Sequence, residues 1–236
     1  ATTGLEAGVH AENDDIVQKG VRRWQAEGRT YPRAHCETRP PVSESEASLR
    51  AMEFALATGV RLHVHHVTLA RIFEVAQRYR QDGARVTTET CPHYLLLGEE
   101  DMDRLKAKAK INPPVRTREE AAKLWSLLAR GWVDLVTSDH APWPLTNKDK
   151  PNIFENASGC PGVQTLGPLV FSEGVRKGRI TLARFVQAIA ENPARLYNLY
   201  PRKGTLRPGA DADLPVLDPN GTWVISEGDM KSHATW

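Results

Sequence analysis

Three residues of types that bind metal ions stand at the ends of predicted β-strands. His10 and His66 are the last residues of two apolar strands, and Asp139 directly follows a third. A helical stretch follows each strand, so these side chains are expected at the carboxyl edge of a parallel sheet, where α/β proteins place their chemistry. A single histidine or aspartate at such a place is more often a hydrogen-bonded structural residue. Three of them in one sheet predict a hydrolytic metal site, because imidazole and carboxylate are common zinc ligands.

A rival pair of imidazoles precedes His66 in the same strand. His63 and His65 are two residues apart and therefore project from one face, which is a usual way to offer two nitrogens to one ion. In a regular strand His66 points the other way. We expect Val64 and His66 to face the interior and His63 and His65 to face the helices, so the pattern favours His66 as the ligand.

Further residues are candidates for contact with a substrate. His140, beside Asp139, could bind a ligand or orient the aspartate. Asn112 stands before two prolines on a stiff loop, where its amide could face a substrate. The loop that contains Ser158 and Gly162 can bring backbone close to a ligand, because glycine permits such an approach. Each of these could equally be an ordinary turn or loop residue.

The cysteines indicate neither a disulfide framework nor a thiolate zinc site. Cys36, Cys91 and Cys160 are odd in number, far apart and without a C-x-x-C pair, so reduced thiols are expected, as in a cytosol. Cys91 lies with Glu89 and His93 at the end of the third predicted strand. No paired base marks Cys91 as a nucleophile, so a small buried residue is the better interpretation.

Length and charge narrow the kinds of partner. A chain of 236 residues can bury a substantial core. The 31 Lys plus Arg nearly balance the 29 Asp plus Glu, and a net charge of +2 is too small to indicate nucleic acid or an anionic membrane as the main partner. No apolar run approaches the roughly 18 residues of a membrane span, and no signal-like segment opens the chain. A small-molecule partner and a cytoplasmic location are therefore expected.

Strands and helices alternate through most of the chain. Strands are predicted over residues 5–10, 60–66, 84–89 and 133–138. Helices are predicted to begin at capping-box patterns in residues 43–46 and 117–120, and to occupy residues 163–176 and 181–191. The alternation requires a parallel sheet, because only a crossover helix returns the chain to start a parallel neighbour.

The predicted strands are too few for a closed barrel. A TIM-type (β/α)₈ barrel has eight strands and typically about 250 residues, so about half of one is expected. Beyond residue 200, a short apolar run over residues 212–217 predicts the edge strand of a small separate sheet. The predicted division is a partial barrel in residues 1–200 and a β segment in residues 201–236.

Short motifs are spread over practically the whole chain. In order they are His10-Ala11-Glu12-Asn13, Arg39-Pro40-Pro41, residues 62–68, Glu89-Thr90-Cys91-Pro92-His93-Tyr94, Asn112-Pro113-Pro114-Val115-Arg116, Ser138-Asp139-His140-Ala141-Pro142, residues 158–162, Asn192-Pro193-Ala194-Arg195 and Gly209-Ala210-Asp211-Ala212-Asp213-Leu214. Together they resemble the cyclic amidohydrolases, namely dihydroorotase, dihydropyrimidinase (hydantoinase) and allantoinase. The resemblance implies a (β/α)₈ barrel with a small β-sandwich, of which this chain looks like the later half.

The resemblance also implies roles for the candidate residues. His10 and His66 match the imidazole ligands of the family's fifth and sixth strands. Asp139 matches the aspartate of the eighth strand, which binds the other metal ion and shuttles the proton. Asn112 and the loop over residues 158–162 match positions that hold the cyclic amide or imide.

Some features of the family have no counterpart here. The first-strand H-x-H pair and the bridging carboxylated lysine are missing, and His63 and His65 are not that pair, because their surroundings match the sixth strand. The complete enzymes of the family are implied to hold two zinc ions, and this chain is expected to hold one or none. Pro215 also interrupts a tail strand that is usually free of proline.

The implied activity is hydrolysis of the C–N bond of a small cyclic amide or imide. Asn112 favours a dihydroorotase-like substrate, with allantoinase and dihydropyrimidinase or hydantoinase as alternatives. A non-catalytic scaffold that keeps the barrel without metals is a further alternative, which the presence of His10, His66 and Asp139 disfavours. Half a barrel leaves unpaired sheet edges, so a homo-oligomer is expected.

Overall fold

The chain folds around a four-stranded parallel sheet in the computed structural model, which describes residues 3–232, 234 and 236. The strands neighbour each other in chain order: β1 (Glu6–Val9), β2 (Arg61–Val64), β3 (Arg85–Thr90) and β4 (Leu135–Val136). The register places Gly8, His63 and Thr87 in one row across the sheet. This unbroken order, with a helical crossover between successive strands, is the arrangement predicted for an arc of a β/α barrel.

Helices connect the strands and follow the sheet. They are α1 (Asp14–Ala26), α2 (Ala34–Glu37), α3 (Pro41–Thr58), α4 (Ala70–Gln81), α5 (Pro92–Leu96), α6 (Asp101–Leu105), α7 (Arg118–Ala129), α8 (Leu166–Val170), α9 (Leu182–Val186) and α10 (Asn192–Leu196). Single 3₁₀ turns occur at Lys106–Ala109, Leu145–Asn147, Ile153–Glu155 and Glu227–Asp229, and π-helical turns follow α8 and α9 at Phe171–Arg176 and Gln187–Glu191. In the described part of the chain, no helix has both the length and the apolar character that crossing a membrane requires.

Of the two predicted capping boxes, the one at residues 117–120 begins a helix as expected, and the one at residues 43–46 does not. Thr117 caps α7 as expected and accepts a hydrogen bond from the Glu120 amide (3.3 Å). Helix α3 instead begins at Pro41, which suits the first helical position because no amide hydrogen is needed there. Glu44 is buried, and its carboxylate accepts hydrogen bonds from Arg116 Nη2 (2.9 Å) and the Thr68 amide (2.8 Å). Glu44 therefore ties α3 to two loops instead of capping the helix.

The two faces of β2 are reversed relative to the expectation. Leu62 and Val64 are buried in the apolar core that the sheet forms with α3 and α4. Successive strand residues point to opposite faces, so His63 and His65 lie on the other face, which we call the inner face. The prediction that Val64 faces the interior while His63 and His65 face the helices was wrong.

The tail contains no paired strand among its described residues. The run over residues 212–217, predicted as a strand, is exposed and lies outside the sheet, with Val216 99% exposed. A strand needs a neighbour to satisfy its backbone groups, and the described residues provide none here. Gln164 holds the tail instead, because its amide donates to the Asp229 carbonyl (2.8 Å) and accepts from the Lys231 amide (2.9 Å). The division of the chain at residue 200 stays a prediction.

Candidate metal centre and substrate loop

The imidazoles of His10 and His66 meet at the carboxyl edge of the sheet. The His65 amide donates to the Val9 carbonyl (3.0 Å), which continues the ladder between β1 and β2 and brings the two histidines together. His10 Nδ1 lies 3.1 Å from His66 Nε2, and the ring planes make an angle of 68°. Two imidazole nitrogens at this distance either share a hydrogen or turn their lone pairs to one cation.

Glu12 and Arg39 orient the ring of His10. His10 Nε2 lies 3.1 Å from Glu12 Oε2, and Arg39 Nη1 donates to the same oxygen (2.5 Å). An ionised carboxylate only accepts hydrogen bonds, so we assign the hydrogen to Nε2, which leaves a lone pair on Nδ1. A carboxylate behind a histidine is the usual outer partner of a metal-binding imidazole.

His66 is buried in its neutral form. Burial and then the nearby His10 lower the pKa of His66 to about 4. His66 Nδ1 is buried without a hydrogen-bond partner among the described residues, and such an atom typically costs ~1–3 kcal/mol. These residues fit a metal ion, because a tetrahedral zinc ion with Zn–N bonds of about 2.0–2.1 Å holds two nitrogens about 3.3 Å apart.

Asp139 reaches the same edge of the sheet but does not contact the two histidines. In the described residues no hydrogen bond or ion pair joins its carboxylate to His10 or His66. Burial and the charge of Glu89 raise the pKa of Asp139, while His10 and His65 act to lower it. The residue is largely exposed, so solvent screens this shift. Asp139 therefore shares the electrostatic environment of the site, and among the described residues no bond holds it there.

A second group of possible ligands lies on the inner face. Glu89 Oε1 is 3.1 Å from His65 Nδ1, and Glu89 Oε2 is 3.0 Å from His63 Nε2. Burial acts to raise the pKa of Glu89, but the hydrogen bonds and charges of His63 and His65 outweigh it and lower the pKa to about 2. In return, the hydrogen bond to Glu89 raises the pKa of His65.

The two predicted substrate segments lie side by side. The Gly159 amide donates to the Lys110 carbonyl (2.8 Å), and Lys148 Nζ donates to the carbonyls of both residues (2.7 and 2.9 Å). These bonds fix residues 158–162 beside Lys110, two residues before Asn112. This segment is predicted from the sequence to contact a substrate, and we call it the substrate loop. Asn112 Oδ1 is buried and has no hydrogen-bond partner in the part of the chain that the structure describes.

His140 binds the substrate loop and not Asp139. Its Nδ1 accepts hydrogen bonds from the amides of Gly162 (3.0 Å) and of the next residue (3.3 Å). At the other end of the loop, the Ser158 carbonyl accepts a hydrogen bond from Trp143 Nε1 (2.8 Å). The expected roles of His140, binding a ligand or orienting Asp139, stay predictions, and the geometry adds a third role, positioning the loop that carries Ser158 and Gly162.

Cys91 is buried at the end of β3 and is not activated. Burial and then the charge of Glu89 raise the pKa of its thiol well above the usual range, so the thiolate form is disfavoured at neutral pH. Its sulfur lies 3.7 Å from Thr137 Oγ1. Cys36, Cys91 and Cys160 are all free thiols in the structure. The interpretation of Cys91 as a small buried residue agrees with this environment.

Comparison with known sequences identifies the family. The profile of the Amidohydrolase family matches residues 6–236. An allantoinase from Rubrobacter xylanophilus is 39% identical over 230 residues, and this alignment covers 98% of the chain and 50% of that protein. A D-hydantoinase from Ralstonia pickettii is 37% identical over 234 residues, with 97% of the chain and 51% of that protein covered.

Solved structures agree with this result. The crystal structure of dihydropyrimidinase from Brevibacillus agri matches with a TM-score of 0.92 and 34% identity, covering 98% of this chain and 51% of that one. A crystal structure of a D-hydantoinase matches with a TM-score of 0.93 and 35% identity. The chain thus spans about half the length of the relatives it matches, and its sheet and helices form part of a TIM barrel. By sequence and by fold, the chain belongs to the Amidohydrolase family, and the resemblance to the cyclic amidohydrolases is confirmed.

Proposed function

We propose that this chain supplies part of the active site of an enzyme that hydrolyses a ring C–N bond in a small cyclic amide. The observation that carries the proposal is the pair of facing nitrogens of His10 and His66, 3.1 Å apart, with Glu12 behind His10. The allantoinase and hydantoinases described above support the class of reaction.

His10 and His66 would hold one metal ion, and Asp139, which matches a ligand of the other ion, would complete the centre in the whole enzyme. Zinc is our proposal because imidazole and carboxylate are among its usual ligands. When bound, zinc lowers the pKa of a bound water towards about 7 and polarises the substrate carbonyl. Asp139 takes the proton of the attacking water and delivers it to the ring nitrogen as the C–N bond breaks.

The substrate binds between Asn112 and the substrate loop in this proposal. The open acceptor Asn112 Oδ1 suits a ring N–H, and the backbone of Gly162 is held in place by His140. Asn112 taken alone favours dihydroorotate, but the relatives described above are named for allantoin and hydantoin. We therefore place the hydantoinase and allantoinase reactions ahead of the dihydroorotase reaction.

Ring opening of hydantoin, allantoin, dihydrouracil and dihydroorotate by the purified protein with added zinc tests the proposal. We expect a rate above the uncatalysed one for at least one substrate. Asp139→Asn should lower that rate by about 10²-fold or more, as loss of a general base does. Glu53→Gln, on the exposed surface of α3, is the control and should leave it unchanged. A rate that survives Asp139→Asn would contradict the proposal. If none of the four rings opens, zinc content decides, because the chain supplies only part of the site: unchanged zinc in His10→Ala, His66→Ala and Asp139→Ala would equally contradict it.

A further inference from the structure

The inner face of the sheet carries a set of ligand atoms that the proposed function does not use. One ligand atom from each of His63, His65 and Glu89 lies within 4.8 Å of the other two. The two imidazole rings are nearly perpendicular, at 84°, and each faces one oxygen of the carboxylate. Two imidazoles and one carboxylate are the protein ligands of many zinc sites that keep an open position.

Neighbouring residues fix the orientation of these side chains, as the outer partners of metal ligands do in other proteins. Thr87 Oγ1 lies 2.8 Å from His63 Nδ1, which fixes the ring and leaves Nε2 for a cation. His63 and Glu89 are buried, at 1% and 5% exposed, whereas His65 is partly exposed and opens the group to solvent. A buried carboxylate requires compensating positive charge, which a divalent cation would supply.

Gly8 leaves the space that the ring of His65 occupies. A Cβ atom at Gly8 would lie 2.3 Å from His65 Nε2. Gly8 is opposite His63 in the register between β1 and β2, so it lies directly beside the group. A side chain here would push His65 away from Glu89, and the glycine therefore allows the three side chains to assemble.

We propose that His63, His65 and Glu89 bind one divalent cation, Zn²⁺ in the first instance, at a site separate from that of His10 and His66. The ring centroids of His65 and His66 are 6.0 Å apart, so the two sites are neighbours with different ligands. A tetrahedral zinc ion needs ligand atoms about 3.3 Å apart, against up to 4.8 Å here, so His65, which is partly exposed, would have to move closer when the ion binds. Cation binding at this site does not depend on whether the chain hydrolyses a cyclic amide.

Binding of Co²⁺ to the purified protein tests this site, because tetrahedral Co²⁺ absorbs visible light. The starting protein is the double variant His10→Asn with His66→Asn, which lacks the first site. We expect it to bind one Co²⁺ per chain and to release it to Zn²⁺. Adding Glu89→Gln removes a ligand and should weaken binding at least 100-fold, whereas Thr87→Val removes only the support of His63 and should weaken it by about 10–100-fold.

Control variants separate a metal site from a hydrogen-bonded group without an ion. Glu53→Gln makes the same chemical change as Glu89→Gln on the exposed surface of α3 and should leave Co²⁺ affinity unchanged. His65→Asn is a second ligand variant at a partly exposed position, and circular dichroism verifies its fold. The proposal is overturned if the double variant binds no Co²⁺, or if Glu89→Gln and His65→Asn bind it as Glu53→Gln does. Ring opening is not part of this readout, so failure here is distinct from failure of the proposed function.

Discussion

His10 Nδ1 lies 3.1 Å from His66 Nε2, although 56 positions separate the two residues in the chain. The parallel register of β1 and β2 produces this contact, because Val9 is opposite Val64 and both histidines lie just beyond that row. The contact therefore depends on the pairing of two strands and on no local motif.

Glu12→Gln should weaken zinc binding at His10 and His66 by about 10–100-fold. The glutamine amide can donate to His10 Nε2, which moves the ring hydrogen to Nδ1 and removes the lone pair from the site. Competition with a chromophoric chelator measures the affinity, in a Glu89→Gln background so that the inner-face group does not contribute. Glu27→Gln, beyond the end of α1, is the control. Equal affinities in the two proteins would refute the role of Glu12.

Lys148→Met should loosen the substrate loop. Lys148 Nζ donates to the carbonyls of Lys110, Ala157 and Gly159 at 2.7–2.9 Å. Methionine fills similar space but leaves these carbonyls without the donor. Hydrogen exchange of the Gly159 amide should become faster by about tenfold or more, which mass spectrometry can follow. Lys150→Met, at an exposed position nearby, should change little, and equal protection in both variants would count against the prediction.

Asp101→Asn should destabilise the protein at neutral pH and not in acid. The Asp101 carboxylate accepts hydrogen bonds from the Gly98 amide (2.9 Å), Arg104 Nη2 (3.1 Å) and Arg118 Nη2 (2.6 Å). Burial acts to raise the pKa of Asp101, but these bonds and charges hold it below the usual value. A carboxylate with a lowered folded pKa stabilises the protein above its unfolded pKa of about 3.9, and this stabilisation is lost as the pH falls through the folded value.

Urea unfolding at several pH values measures this effect. Asp101→Asn should lower the free energy of unfolding by about 1–3 kcal/mol at pH 7, and the difference from the unmodified protein should shrink as the pH falls below the unfolded pKa of about 3.9. Asp103→Asn changes an exposed carboxylate on the same helix and serves as the control. A deficit for Asp101→Asn that stays constant across this pH range would show that its charge is not the cause.

Arg116→Met should lower the free energy of unfolding by about 3–5 kcal/mol. Arg116 Nη2 donates to Glu44 Oε2 (2.9 Å), and both side chains are almost fully buried. The variant leaves the carboxylate of Glu44 without its cation, so adding Glu44→Gln should recover part of the loss. Arg71→Met, on the exposed face of α4, is the matched control for urea unfolding. No recovery in the double variant would contradict the assignment of the loss to an unpaired charge.

The sequence alone predicted the parallel sheet and the approximate positions of its strands, although β1 and β2 end at Val9 and Val64, before His10 and His66. Both follow from local patterns combined with one general rule, that a crossover helix returns the chain to a parallel neighbour. Local hydrogen bonding also made the start of α7 predictable, because Thr117 caps the helix with its own side chain.

The faces of β2 could not be predicted, because one residue breaks the alternation. His66 has a φ of 39°, which lies outside the extended region, so the alternation of strand side chains does not continue to His66. The prediction, however, assigned the faces of the β2 residues by counting back from His66. Counting by two from His66 assigns Val64 to its face, while the structure places Val64 in the core with the helices. A regular pattern of residue types gives no sign of such a turn.

Several important residues were missed for a different reason. Arg39 and Glu44 act through Glu12 and Arg116, partners that are distant in the chain, and nothing in the neighbouring sequence indicates those partners. Glu89 was placed correctly at the end of β3 but received no role. Glu89 and Thr87 are two residues apart in β3 and therefore share a face, and β3 is the neighbour of the strand that carries His63. This spacing could have identified Glu89 as a partner of His63 and His65.

The left-handed backbone of His66 sets its binding chemistry against the stability of the fold. Glycine is the residue that such a backbone favours, and any other residue there is strained by about 1–3 kcal/mol. His66→Gly would relieve this strain and, in the same step, remove an imidazole that faces His10. A variant library screened only for heat resistance would therefore tend to lose this side chain, whereas a screen that also required a bound ion would keep it.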